Sequence, residues 1–329
     1  MLGITCFTSV HSVINNSNSN LNTFLHESNA ANIGVSSTIG MYDYDADAIK
    51  SIDGIKDACL DYSCDNVVWI NDSKSIFKFQ SVNDFNDQKS INKLELECGR
   101  FPENNNECVL LSESDISIKS EIGNKISVCQ NTGTKLDYLK VKEFTVVGFC
   151  HCVNYINKLV LGESVNGKDS INDIAFVDDS AFDQSLPHTN LYANFNEFNY
   201  SDKQSYNDLT NEIRSRVEDK LNDIKDYHAS EMSSYTNLLK PVEPTYYVSD
   251  LNENSGINTY KQTCDRTYNL IVPFSIIFLV TSLIIVVSIF LRLINDDRKQ
   301  TGILKINGYG KIKIVSIYIF YAVMATICG

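Results

Sequence analysis

Apolar positions follow three different patterns along the 329-residue chain. From Asn32 to about Asn194 short runs, NIGVSST, NVVWI, SIFKFQ, CVLLS, KISVC, FTVVGFC, KLVLG and IAFVD, alternate with turn-rich pieces, and most are rich in β-branched or aromatic side chains. They predict the strands of a mixed sheet. A helix is expected near Tyr44 to Ser51, with Asp43 or Asp45 near its start and Gly54 just past its end, and Asp179 to Phe182 opens a further short turn. The expected class is α+β.

From about Ser201 the period changes. Tyr206, Leu209, Ile213, Val217, Leu221, Ile224, His228, Met232, Tyr235 and Leu239 step by three or four residues and make one apolar stripe of a helix. Such a stripe fits a helix or hairpin packed on the sheet domain, or a short coiled-coil arm that meets a partner. Pro241 and Pro244 close the segment, and TYYVSD returns as an extended piece.

The third pattern is unbroken. Leu270 to Leu291 is 22 residues without a charge, which at about 1.5 Å per residue covers a hydrocarbon core of roughly 30 Å. Only Ser275, Thr281, Ser282 and Ser288 interrupt it, too few for the solvated face of a soluble helix. Pro273 is expected in the first turn, where a missing N–H is tolerated. A second apolar run starts at Ile312 and reaches Gly329, and MLGITCFTSVHSV leads straight into the polar NNSNSN stretch. Both are expected to be parts of spanning helices that are cut short at the ends of the chain.

Charge sets the orientation. The chain has 28 basic and 41 acidic residues, a net of −13. After Leu291 the sign reverses: Arg292, Arg298, Lys299, Lys305, Lys311 and Lys313 face only Asp296 and Asp297, a local net of +4. By the positive-inside rule this short segment faces the cytoplasm and the large N-terminal region lies outside. The acidic bulk would be repelled by phosphate backbones, which argues against nucleic acid as a partner.

The expected divisions are residues 1–13, the outer end of a first spanning helix; 14–200, the α+β extracytoplasmic domain; 201–240, a helical arm or short coiled coil; 241–268, a juxtamembrane return; 269–292, a transmembrane helix; 293–311, a cytoplasmic segment; and 312–329, the start of the next spanning helix.

Motifs for chemistry are missing. GILKINGYGK from Gly302 has the wrong spacing for a phosphate-binding loop, and neither His-Glu-x-x-His nor Gly-x-Ser-x-Gly occurs. No catalytic residue, cofactor or metal is therefore expected. Cys150-His151-Cys152 resembles half a metal site but has no second ligand pair. Outside the membrane, oxidation is permitted, so Cys59 with Cys64 or Cys98 with Cys108 are candidate disulfides, with buried thiols the alternative.

The stretch RLINDDRKQTGILKINGYGKIKI mixes Ile303, Leu304 and Ile306 with Arg298, Lys299 and Lys305, and breaks at Gly308 and Gly310. It fits a short interfacial helix or a plain basic loop. Arg298, Thr301-Gly302-Ile303-Leu304-Lys305 and Gly308-Tyr309 with the following apolar run resemble FtsX-like (MacB-type) ABC transporter permeases. SSTIGMYDYDADAIKSIDGIKDA, GRFPENNNECVLL, IGNKISV, FTVVGFC, IAFVDDSAF and YYVSDLNENSG, in that order, resemble the ectodomain of large permeases of this family from low-GC Gram-positive bacteria. The resemblance implies a MacB-like ectodomain and a permease subunit with a cytoplasmic ABC ATPase as partner. A second permease copy or half and the lipid bilayer are its other expected partners. It also implies that Arg298, Lys299, Gly302, Ile303, Leu304, Lys305 and Gly308 lie in a segment that couples to that ATPase. A membrane-anchored binding or sensory module without an ATPase is the alternative.

Overall fold

The computed structural model describes residues 2–70, 73–112, 120–129, 137–156, 161–164, 169–235 and 244–328. The chain divides into two compact units, residues 20–261 and residues 1–19 with 262–329.

Residues 20–261 combine two sheets with helices, an α+β arrangement. The smaller sheet is wholly antiparallel, in the order β11 (Tyr246–Asp250), β1 (Ile33–Met41), β10 (His188–Phe195) and β2 (Ile55–Asp61). Period-2 alternation gives it two unlike faces. Ile33, Val35, Leu191, Ala193 and Phe195 enter one core with Leu21 and Leu25 of α1 (Leu2–Glu27), Ile49 of α2 (Asp43–Lys50) and Tyr206, Ile213, Val217 and Leu221 of α3 (Lys203–Tyr235). The intervening residues of β2 and β10, Asp57, Cys59, Asp61, Asn190, Tyr192 and Asn194, make the other face polar.

Between β2 and β10 the chain builds the larger sheet: β3 (Ser63–Ile70), β4 (Ser73–Val82), β5 (Glu95–Gly99), β6 (Glu107–Leu111), β7 (Lys125–Val128), β8 (Glu143–His151) and β9 (Asp173–Asp178), in the order β5-β8-β6-β9-β4-β3-β7. β7 also pairs with β8, through Lys125 to Thr145, so six of the seven strands close into a ring. The β4–β9 and β6–β8 pairs are parallel and the rest antiparallel. Val68, Phe77, Phe79, Leu110, Ile126, Phe144, Val146 and Val177 fill one cluster, and Tyr62, Leu139 and Phe182 join it. A second cluster takes the opposite residues of the same strands, Val109, Leu111, Val147, Ile174 and Phe176. Burial on both faces is why β6 and β9 read as continuous apolar runs.

Two glycines permit the close approach of the edge strand β5 to β8. At Gly99, φ is +83° and an added Cβ would lie 2.3 Å from the Val147 carbonyl oxygen; at Gly148 it would lie 2.7 Å from the Cys98 carbonyl oxygen. The backbones of β5 and β8 touch where the ladder shifts register between Leu96 and Cys98.

Several expectations change. α1 is helical from Leu2 to Glu27, straight through NNSNSN, where a helix end was expected near residue 13. Leu21 and Leu25, one turn apart, bury in the core and hold its C-terminal turns, and extending a nucleated helix costs little. α4 (Ser255–Asp296) begins well before the apolar run, so Pro273 lies in the helix interior and not its first turn. The stripe from Tyr206 to Leu221 packs on the sheet as the plainer reading of that helix has it; the side chains of His228, Met232 and Tyr235, and Leu239 and Pro241 entirely, lie outside the described residues, as does most of KLVLG. The disulfide pairs do not form: Cys59 is in the smaller sheet and Cys64 in the larger, and Cys98 on β5 is separated from Cys108 on β6 by β8.

In the other unit, the C-terminal part of α4 is followed by α5 (Arg298–Ile306) and α6 (Lys311–Cys328). Among the described residues α4 is the one helix long and apolar enough to cross a membrane, and only 6% of its most apolar stretch is buried. A core helix of a soluble protein would be mostly covered; here Leu270, Phe274, Ile277, Leu283, Ile284 and Ile289 all stand exposed, as lipid-facing residues do.

Candidate functional site

The segment between the two apolar helices is an ordered element. α5 starts after Asp297, whose backbone carbonyl accepts from the Thr301 hydroxyl at 2.7 Å and the Thr301 amide at 2.9 Å. It stops in a Schellman arrangement: the Gly308 amide donates to the Lys305 carbonyl at 3.2 Å and the Tyr309 amide to the Leu304 carbonyl at 3.1 Å. That geometry needs a left-handed residue after the C-cap, and Gly308 supplies φ +85°.

Helical spacing sorts the seven predicted residues into sectors. Arg298, Gly302 and Lys305, at i, i+4 and i+7, share one exposed face, with a glycine leaving room between two cations. Lys299, Ile303 and Ile306 share another; Ile303 and Ile306 are 60% and 86% exposed, unusual for isoleucine in water. Thr301 and Leu304 are the half-buried pair, and the Thr301 hydroxyl lies 3.3 Å from the Tyr318 hydroxyl of α6. Thus six of the predicted residues lie on α5, Gly308 caps it, and two exposed sectors remain, one cationic and one in which Lys299 borders the two isoleucines.

Sequence reasoning missed how three residues act here. Thr301 and Tyr318 tie α5 to α6, and Lys313 lies 5.8 Å from the Tyr309 ring centroid, a cation–π contact across the turn. The spacing from Thr301 to Tyr318 spans the Gly308 break, so no single helical period reveals it.

Catalytic chemistry finds no constellation here. Among the described residues no three His, Cys, Asp or Glu side chains converge to hold a metal. Cys150 and Cys152 are buried, while His151 points to Glu97 at 3.7 Å. Burial pushes the Cys152 and Cys59 thiols up to about 12, with the carboxylates near Cys59 adding to it, the opposite of a reactive thiolate.

Residues 273–329, which contain α5, α6 and most of the membrane-crossing run, match the family described as FtsX-like permease C-terminal. The chain therefore carries an FtsX-type permease segment, as the pattern around Arg298 and Gly308 implies. No curated protein matches the chain. Among solved structures, the chain is similar to the periplasmic region of MacB from Actinobacillus actinomycetemcomitans at 10% identity and a TM-score of 0.33, over 75% of this chain and 98% of that one. It is also similar to the extracellular domain of the noncanonic ABC-type transporter YknZ from Gram-positive bacteria, at 9% identity and a TM-score of 0.31, over 66% of this chain and all of that one.

Proposed function

We propose that this chain is a permease subunit of an ABC transporter. A separate cytoplasmic ATPase engages α5 and moves the spanning helices and, through them, residues 20–261 on the outer side. The carrying observation is α5, capped at its C-terminus by Gly308 inside the FtsX-type segment, with Arg298 and Lys305 on one exposed face and Ile303 and Ile306 on another. An exposed apolar pair beside two cations suits a groove with an acidic rim, since area and charge complementarity together fix a docked helix. Anchoring through Thr301 and Tyr318 lets a push on α5 reach α6. In this reading α4 and α6 cross the bilayer in opposite directions, with Lys299 in the cytoplasm, and a second permease copy or half completes the transporter. The chain itself supplies no nucleotide chemistry; hydrolysis belongs to the partner.

The test is the double variant Arg298→Glu/Lys305→Glu, with the membrane-embedded protein purified from mild detergent. The wild type is expected to retain an ATPase and stimulate its hydrolysis, and the double variant to lose at least 10-fold of both while its outer unit stays folded. Unchanged retention and stimulation would remove α5 from the coupling role. No co-purifying ATPase from wild type would favour a membrane-anchored binding module.

A further inference from the structure

The polar face of the smaller sheet is not merely solvated. The segment after β4 folds over it and, with the wall of the ring, encloses a cleft of about 330 Å³, within the size range of small-molecule sites. Cys59, Asp61 and Tyr192 of the sheet, Gln80 and Phe176 of the ring, and Phe85 of the covering segment line it. Asp61 is 7% exposed. Its carboxylate accepts from Gln80 Nε2 at 2.7 Å and Asn190 Nδ2 at 2.8 Å, and Gln80 Oε1 in turn accepts from the Tyr155 hydroxyl at 3.0 Å. Two amide donors leave roughly half of the lone-pair sites of an ionised carboxylate open.

No cation touches that charge from within; the field of Lys78 reaches it without a contact. Lys78 pairs with Asp65 at 3.8 Å, and among the described residues no lysine or arginine forms an ion pair with Asp61. A buried carboxylate with open lone-pair sites and no cation in contact, in one cleft walled by Phe85, Phe176 and Tyr192, describes what is missing.

We propose that this cleft binds a small organic cation. Its ammonium group donates to Asp61, and its apolar body lies against Phe85 and Tyr192. An anion is refused by Asp61, and a neutral analogue leaves the carboxylate uncompensated. The proposal concerns residues 20–261 alone and does not rest on the permease reading.

Tyramine is the probe, titrated calorimetrically into the full chain in detergent at pH 7.5. It is expected to bind one per chain, at least 10-fold more tightly than 4-ethylphenol, which lacks the ammonium, and than 3-(4-hydroxyphenyl)propionate, which reverses the charge. Asp61→Asn should weaken tyramine at least 10-fold, about 1.4 kcal/mol. Should that variant unfold, Cys59→Phe, which fills the cleft and keeps the Asp61 network, should abolish binding. Failure of tyramine to bind, equal binding of 4-ethylphenol, or undiminished binding by both variants overturns the proposal.

Discussion

At the scale of single residues, electrostatics at Asp61 and Glu107 have opposite signs. Burial holds the Asp61 carboxyl up at about 6, although Asn190, Gln80 and the field of Lys78 all pull it down. The folded chain therefore binds a proton more tightly than the unfolded one, whose Asp titrates near 3.9, and Asp61 favours folding at low pH. Its contribution is lost as pH rises from about 4 to 6, by up to about 3 kcal/mol at roughly 1.4 kcal/mol per pH unit. Asp45, also raised to about 6 by burial, adds the same sign. Denaturant midpoints from pH 4 to 7 should fall more steeply for wild type than for Asp61→Asn; equal slopes would place Asp61 in a wetter environment. Glu107 is held down to about 2, chiefly by the Arg100 guanidinium, which donates to both its oxygens at 2.8 and 2.6 Å. Its contribution is present above about 4.5 and disappears as the pH falls toward 2. Glu107→Gln should cost about 1 kcal/mol at pH 7, a modest figure because Arg100 is largely exposed. Sterics decide Gly148. A methyl group there meets backbone oxygens of both Cys98 and Arg100, at 2.7 and 2.8 Å, with no flexible side chain to move aside. Gly148→Ala is expected to cost about 3 kcal/mol by the same denaturant measurement.

At the scale of elements, what the sequence reveals depends on how many faces are buried. β6 and β9 are covered on both sides and stand out as CVLLS and IAFVD; β4 and β8 keep enough aromatic and branched residues to be seen. β2, IKDACLD, and β10, HTNLYANF, were not resolved as strands, because half their residues form the polar face and carry Asp, Asn and Cys where a sandwich strand has Val or Thr. β5, ELECG, is an edge piece with almost no buried side chain. That polar face is also where the cleft lies, so Asp61, one of the residues that concealed β2, is also the one proposed to bind the cation. α5 was legible for a different reason: its cap is written locally, in Gly308 and the apolar-basic mixture before it. Its contact to Tyr318 was not, since it depends on how α6 turns back. The cap is testable in isolation. Nothing lies within 4 Å of a Cβ built on Gly308, so Gly308→Ala is penalised only by its positive φ, about 1 kcal/mol. Hydrogen exchange at the Gly308 and Tyr309 amides should speed up about 5-fold in that variant and much less in Gly308→Asn, since Asn tolerates the left-handed region. Equal acceleration in both would mean that the turn is held by α6 instead of its own backbone.

At the scale of the whole molecule, the permease proposal puts the parts of the chain on two sides of a bilayer, and charge and hydropathy support it. Residues 1–291 carry 22 basic and 39 acidic groups, a net of −17, whereas the short segment after Leu291 is positive by 4. A segment this short, next to the end of a spanning helix, is where basic residues set orientation; the acidic domain crosses largely regardless of its charge. The proposal therefore puts Cys98 outside and Lys299 inside. Both positions are exposed, which allows a direct comparison, and the deeply covered thiols of Cys108 and Cys152 are poor competitors because burial raises both well above the ordinary thiol range. In intact cells a membrane-impermeant maleimide should label Cys98, and Cys98→Ser should remove most of the signal. In the Cys98→Ser background, Lys299→Cys should stay unlabelled until the membrane is permeabilised, then react at least 10-fold more. Labelling of Lys299→Cys in intact cells would invert the orientation. It would also take α5 away from a cytoplasmic ATPase, so the coupling proposal would fall with it, while the cleft around Asp61 would remain open to its own titration.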